Sequence, residues 1–219
     1  MSEALFPDRE TAGRKLAARF VGRSLERPIV YALPRGGAPV AAPIAAALDA
    51  PLALLWVRKI GTPFSSELAA GCVAEGDPPA FVWNADVLEL ADMDVEAQHH
   101  AAERALNELA ARKARFPPTL PPSAVRGRSA IVVDDGVATG ASMRAAIVAL
   151  RRHAPAAVIV ATPVAAPDVV VDLAQLADEV VCLAAPVHLG SVGRAYANFL
   201  QVENQELEAI LARAPRPQS

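Results

Sequence analysis

Residues Ala130 to Arg144 read AIVVDDGVATGASMR. The apolar run Ile131-Val132-Val133 ends in two acids, Asp134 and Asp135, and a loop of small and hydroxyl-bearing residues follows. Met143, Ile147 and Leu150 then recur on one face of a helix. Strand, short loop and helix start, in that order, make an anion site: the first amides of a helix have no partner inside it and sit at the positive end of its dipole.

Working outward, the chain alternates. Ile29 to Leu33 is a short apolar strand, and Pro39 to Leu48 is an alanine-rich helix bent or delayed by Pro43. Pro51 to Val57 is a second apolar strand that ends at Arg58-Lys59. Glu67 to Asn84 reads as a hairpin turning around Gly76-Asp77-Pro78-Pro79, and Asn84 or Asp86 can cap one long helix through about Arg115. Phe116 to Pro122 holds four prolines and is a connector.

Beyond the opening stretch lie a strand at Val158 to Ala161, a helix from Pro167, a strand at Glu179 to Leu183 and a last helix at Glu203 to Ala214. Strands alternating with helices predict an α/β fold: a single Rossmann-like domain with a mainly parallel sheet and helices on both faces. Upstream, Asp8 caps a helix through about Val21. In it Ala12, Leu16 and Phe20 share the packed face, and Arg9, Arg14, Lys15 and Arg19 read as solvated surface.

Composition sets bounds. The chain has 219 residues, 53% of them apolar, which suits one large α/β domain. Net charge is −3 and the basic residues are scattered, so a nucleic-acid ligand is not expected. Cys72 and Cys182 lack paired spacing and are expected reduced and buried. No basic-then-apolar leader and no run of about 18 apolar residues is seen, so no membrane association and a cytoplasmic location are expected. His99 and His100 have no metal-ligand spacing around them.

Ligands of parallel sheets bind beyond the carboxyl ends of the strands. Three such ends here carry polar equipment: Arg35-Gly36-Gly37, Arg58-Lys59, and Asp134-Asp135 with the loop behind them. The loop Ala138 to Ser142 suits a phosphate monoester, whereas GxxxxGK[ST] and GxGxxG are both missing, which argues against a P-loop NTPase or a dinucleotide site. The two acids repel phosphate and instead suit hydroxyls or a hard cation. Two acids before a helix also serve simply as cap and turn, but the full constellation favours a ribose 5-phosphate ligand.

These residues carry a resemblance. Ile131 to Ser142 (IVVDDGVATGAS) resembles the phosphoribosyl diphosphate (PRPP) motif of type I phosphoribosyltransferases. Leu33 to Gly37 (LPRGG) is similar to that family's pyrophosphate loop, and Val57 to Lys59 (VRK) to the basic strand end before its mobile catalytic loop. The set LPRGG, VRKIG, ELAAG and VDDGVATGAS is similar to bacterial phosphoribosyltransferase-like proteins of unassigned substrate. Gly136 departs from the pattern, standing where an aliphatic residue is usual.

The resemblance implies a core at about 28–185, a helical insertion at about 85–116, and a hood from the N-terminal segment and about 186–205. It further implies that Val137, Ala138, Thr139, Gly140, Ala141 and Ser142 hold the 5-phosphate, and Asp134 and Asp135 the ribose hydroxyls. Arg35, Gly36 and Gly37 then meet the pyrophosphate, Arg58 and Lys59 are catalytic, and Gly61 to Glu67 closes as a lid. His188, Tyr196 and Phe199 are candidates for the base. Mg2+ is the implied cofactor, held mainly by PRPP near Asp134 and Asp135 without dedicated protein ligands. The implied activity is transfer of 5-phosphoribosyl from PRPP to a nitrogenous base, in a homodimer of nucleotide salvage. The alternative is a non-catalytic sensor of PRPP or nucleotide on the same fold.

Overall fold

The computed structural model describes residues 4–65 and 68–215. In chain order the helices are α1 (Arg9–Ala17), α2 (Gly37–Leu48), α3 (Ala85–Leu90), α4 (Val95–Lys113), α5 (Ala141–Arg151), α6 (Pro167–Ala174) and α7 (Asn204–Arg213). The strands are β1 (Ile29–Ala32), β2 (Leu52–Leu54), β3 (Val57–Gly61), β4 (Ala69–Ala74), β5 (Ala80–Trp83), β6 (Ser129–Val133), β7 (Ala157–Val164) and β8 (Glu179–Ala184).

Five strands form a parallel sheet in the order β2-β1-β6-β7-β8. Every side chain of β1, β2 and β6 is buried, so their apolar runs cover both faces of the sheet. Period-two alternation divides them: Val30, Ala32, Leu54, Ile131 and Val133 pack with Leu16, Phe20 and Ile44 on one side. Ile29, Tyr31, Leu55, Ala130 and Val132 pack with Met143, Ile147 and Leu150 on the other. The expected α/β architecture with a mainly parallel sheet and helices on both faces is therefore present.

The chain leaves β1 toward β2 on one side and β6 toward β7 on the other, so neighbouring β1 and β6 flank the point where connections diverge. Their carboxyl ends lead directly into Pro34-Arg35-Gly36-Gly37 and Asp134 to Gly140. The placement of the site is thus a consequence of topology.

Helix α1 ends at Ala17 rather than near Val21, and two further boundaries differ from expectation. The apolar run from Pro51 to Val57 is not one strand: β2 ends at Leu54 and the chain passes into a separate antiparallel sheet, β3-β4-β5. Glu75 explains the exit, since its Oε1 accepts from the Trp56 N–H at 2.9 Å while its own N–H donates to the Trp56 carbonyl. Continuous hydrophobicity marks burial but not a change of sheet. The hairpin around Gly76 to Pro79 forms as expected, from β4 and β5.

The expected long helix is also two helices. It breaks at Ala91 to Asp94, where Asp92 takes φ 47° and Asp94 caps α4 by accepting from the Ala97 N–H at 2.8 Å. Ala101, Ala105 and Leu109 of α4 pack in the same core as Trp56 and as Ile60 and Val73 of the small sheet. Cys72, Ala74 and Ala80 face Ala145 and Ala149 of α5. The small sheet is held between α4 and α5, and α4 lies beside the site for that reason.

The N-terminal segment joins the tail: Phe6 donates to the Ala195 carbonyl, and Ala197 and Asn198 donate to Phe6 and Pro7. Phe6, Ala12, Val164, Ala195 and Tyr196 form the small core beneath this joint. No helix of the described residues is long and apolar enough to cross a membrane. Both cysteines are free, as expected; Cys72 is buried, but Cys182 is only partly so.

Candidate active site

The site starts from two glycines. A Cβ on Gly36 would lie 2.2 Å from Asp135 Oδ2, and one on Gly37 would lie 2.5 Å from the Val133 carbonyl oxygen. Only residues without side chains let the loop after β1 press against the end of β6. Arg35 is thereby brought to the carboxylates, with its Nη1 donating to Asn204 Oδ1 at 2.9 Å.

On the facing side, the loop after β6 is fixed by Val137, whose N–H donates to Val164 at 2.9 Å and whose carbonyl accepts from Ala166. Ala138 and Thr139 form its exposed crest, and Gly140 turns the chain into α5 with φ 74°. No side chain caps α5, so its first amides, at Ala141, Ser142 and Met143, are presented without a capping oxygen. Gly136 has its own reason: a Cβ there would meet Val192 Cγ1 at 2.4 Å. Its lack of a side chain lets the tail seat on this loop.

Asp134, Asp135, Arg35, Gly36, Ser142 and Phe199 line one cavity of about 400 Å3, together with Arg9 and Arg112. Burial pushes the Asp134 carboxyl well above the ordinary carboxylate range, and the neighbouring Asp135 charge adds to this. Asp134 Oδ1 accepts from the Asp135 N–H at 2.9 Å, and among the described residues it has no cationic ion-pair partner. Burial also raises Asp135, against the lowering influence of Arg9.

Arg9 was not expected here. Its Nε donates to Asp135 Oδ2 at 2.7 Å, its Nη1 to the Leu200 carbonyl, and its Cζ lies 3.7 Å from the Phe199 ring centroid. The reading of Arg9 as solvated surface is corrected: its side chain is 11% exposed. Nothing local in the sequence marks it, because its partner lies 126 residues away. Arg112 was also missed, although Arg104, Glu108 and Arg112 recur at four-residue spacing and so share a face of α4.

Arg58 and Lys59 lie on β3 of the small sheet, not at the end of a parallel strand. They line a second cavity of about 620 Å3 with Thr62, Phe64, Ser65, Arg104, Glu108 and Arg112. Arg58 pairs with Glu108. The two cavities share Val57, Arg112 and Ser142. Of the loop Gly61 to Glu67, Ser66 and Glu67 lie outside the described residues.

The three base candidates separate. Tyr196 is buried, and its hydroxyl donates to the Asp135 carbonyl, which makes it a support for the acids. Phe199 lines the first cavity but is flanked by Tyr196, at 5.2 Å between ring centroids, and by Arg9. His188 is exposed and lines neither cavity.

The phosphoribosyl transferase domain model matches residues 6–187. The chain belongs to the phosphoribosyl transferase domain family. Two curated proteins from Mycobacterium tuberculosis strains, provisionally named phosphoribosyl transferases, are each 43% identical over 212 residues. That match covers 97% of this chain but 47% of theirs, so the chain spans about half the length of these relatives. The crystal structure of TT1426 from Thermus thermophilus is 39% identical with a TM-score of 0.77, covering 94% of this chain and 97% of that one. This phosphoribosyl transferase domain therefore shares its fold with a solved relative over most of its length.

Proposed function

We propose that the domain transfers 5-phosphoribosyl from PRPP to a nitrogenous base with release of pyrophosphate, using Mg2+ as cofactor. Family membership supports phosphoribosyl transfer in general. One observation carries the finer reading: two partly buried acids stand in one cavity between the uncapped start of α5 and Arg35 of the β1 loop. Hydroxyl acceptors between two anion-holding walls fit a sugar that bears phosphate at both ends.

In this reading Val137 to Ser142 hold the 5-phosphate, Asp134 and Asp135 the 2- and 3-hydroxyls, and Arg35, Gly36 and Gly37 the pyrophosphate. The C1–O bond breaks with its electron pair leaving on pyrophosphate, and a nitrogen lone pair of the base forms the new C1–N bond as that nitrogen gives up its proton. Cations placed before the reaction stabilise the developing charge without reorganising. Arg58 and Lys59 serve the same leaving group from the adjoining cavity as the loop from Gly61 closes over it. The base is assigned to the side lined by Phe199, Gln201 and Val202, with Arg9 between Phe199 and the ribose grip.

The residues present fit Mg2+ in a limited way. Among the described residues no group of three or more His, Cys, Asp or Glu could hold a metal, so Mg2+ would be held mainly by PRPP, beside Asp134 and Asp135. Bound there, it supplies positive charge to the leaving pyrophosphate.

Calorimetry with Mg·PRPP tests the grip. Asp135→Asn should weaken binding by about 1.5–3 kcal/mol, the range for a hydrogen bond to a charged group. Unchanged affinity would remove Asp135 from the site.

A further inference from the structure

Helix α4 brings Arg112 to the seam between the two cavities, where it lines both. Its position is fixed from either side. Lys113 pairs with Glu75, whose other oxygen holds the Trp56 backbone, and Phe116 packs on Trp56 at 5.3 Å between centroids. The Arg112 Cζ lies 5.7 Å from the Trp56 ring centroid. A guanidinium lying over a ring keeps its N–H edge available to a ligand.

The charge around Arg112 is unbalanced. Among the described residues no carboxylate forms an ion pair with it, whereas Arg58 has Glu108 and Arg9 has Asp135. Burial, then Arg35, then Arg58 lower its proton affinity, so three guanidiniums crowd a half-buried place. Among the described residues only Arg58 of the three has an ion-pair partner, and the two unmatched cations favour a polyanion held among them. Arg35 approaches from the β1 loop, Arg58 from β3 and Arg112 from α4, which gives three directions around one group.

We propose that Arg112 is a further pyrophosphate-binding residue, so that the α4 segment is a wall of the active site and not only a packing helix. This rests on the PRPP reading above. Arg112 stabilises the diphosphate both in bound PRPP and as it departs, and takes no part in holding the 5-phosphate or the ribose. Guanidinium geometry matters, because its planar fork can meet two phosphate oxygens at once.

The test uses three probes, each with Mg2+: inorganic pyrophosphate, ribose 5-phosphate and PRPP. Arg112→Gln should weaken pyrophosphate and PRPP roughly tenfold or more, the weight of one charge-assisted hydrogen bond, and leave ribose 5-phosphate within about twofold. Arg112→Lys should recover part of the loss. Arg115→Gln is the control: it is exposed just past the end of the same helix, lines neither cavity, and should change pyrophosphate binding little. Equal weakening of ribose 5-phosphate and pyrophosphate by Arg112→Gln, no weakening of pyrophosphate, or an equal loss in Arg115→Gln would each overturn the proposal. If the unaltered domain binds neither ribose 5-phosphate nor PRPP, the PRPP reading itself falls and takes this proposal with it.

Discussion

The Nε of Arg9 donates to Oδ2 of Asp135 at 2.7 Å, joining the first residue of α1 to the end of β6. With the two side chains 11% and 14% exposed, the pair is shielded from most solvent screening. It opposes the rise that burial imposes on Asp135, whereas burial and the Asp135 charge push the neighbouring Asp134 carboxyl well above the ordinary carboxylate range. The same guanidinium covers Phe199. A ligand that uses Asp135 and the Phe199 ring therefore meets Arg9 first.

Arg9→Met should destabilise the fold by about 1–3 kcal/mol at neutral pH, because a shielded carboxylate loses its charged partner. The sign with pH follows from Asp135. Without Arg9 its folded pKa rises further above the unfolded value, so the loss is small in acid and widens as pH rises through the folded pKa. Urea denaturation of both proteins over a pH series measures this; a gap that is constant with pH would contradict the assignment.

Asp134→Asn should stabilise the protein at neutral pH. Burial and Asp135 raise the folded pKa of Asp134 above the unfolded value, so the native state binds the extra proton, and stability falls as pH rises from the unfolded pKa through the folded one. The neutral amide removes that slope. Thermal melts should show the variant gaining on the unaltered protein as pH increases from about 4, near the reference carboxylate pKa.

Gly136→Ala should cost about 1–3 kcal/mol, since its Cβ would overlap both methyl groups of the Val192 side chain. Val192→Ala on that background should restore most of the loss. If the second change restores nothing, the tail is not what demands glycine at this position.

Much of the fold was legible because period-two runs and helix caps are local. Asp8 does cap α1, accepting from the Thr11 N–H, and Ala12, Leu16 and Phe20 are all fully buried. The loop after β6 and the glycines after β1 were legible because small residues at strand ends signal close approach. What could not be read was distant pairing. Arg9 looks like any surface arginine until Asp135 is placed beside it, and Glu75 looks exposed until its two oxygens are seen holding Trp56 and Lys113. The break before α4 had a local signal in Asp94, which the even charge pattern on both sides obscured.

The central claim is catalytic use of the cavity that Asp134, Asp135, Arg35 and Ser142 share. Pyrophosphate release from PRPP with Mg2+, measured against a panel of purines, pyrimidines and orotate, tests it most directly. The account predicts release that depends on one base or a narrow set of bases and is strongly reduced in Asp135→Asn. Tight PRPP binding with no release for any base would contradict it and leave a sensor on this fold.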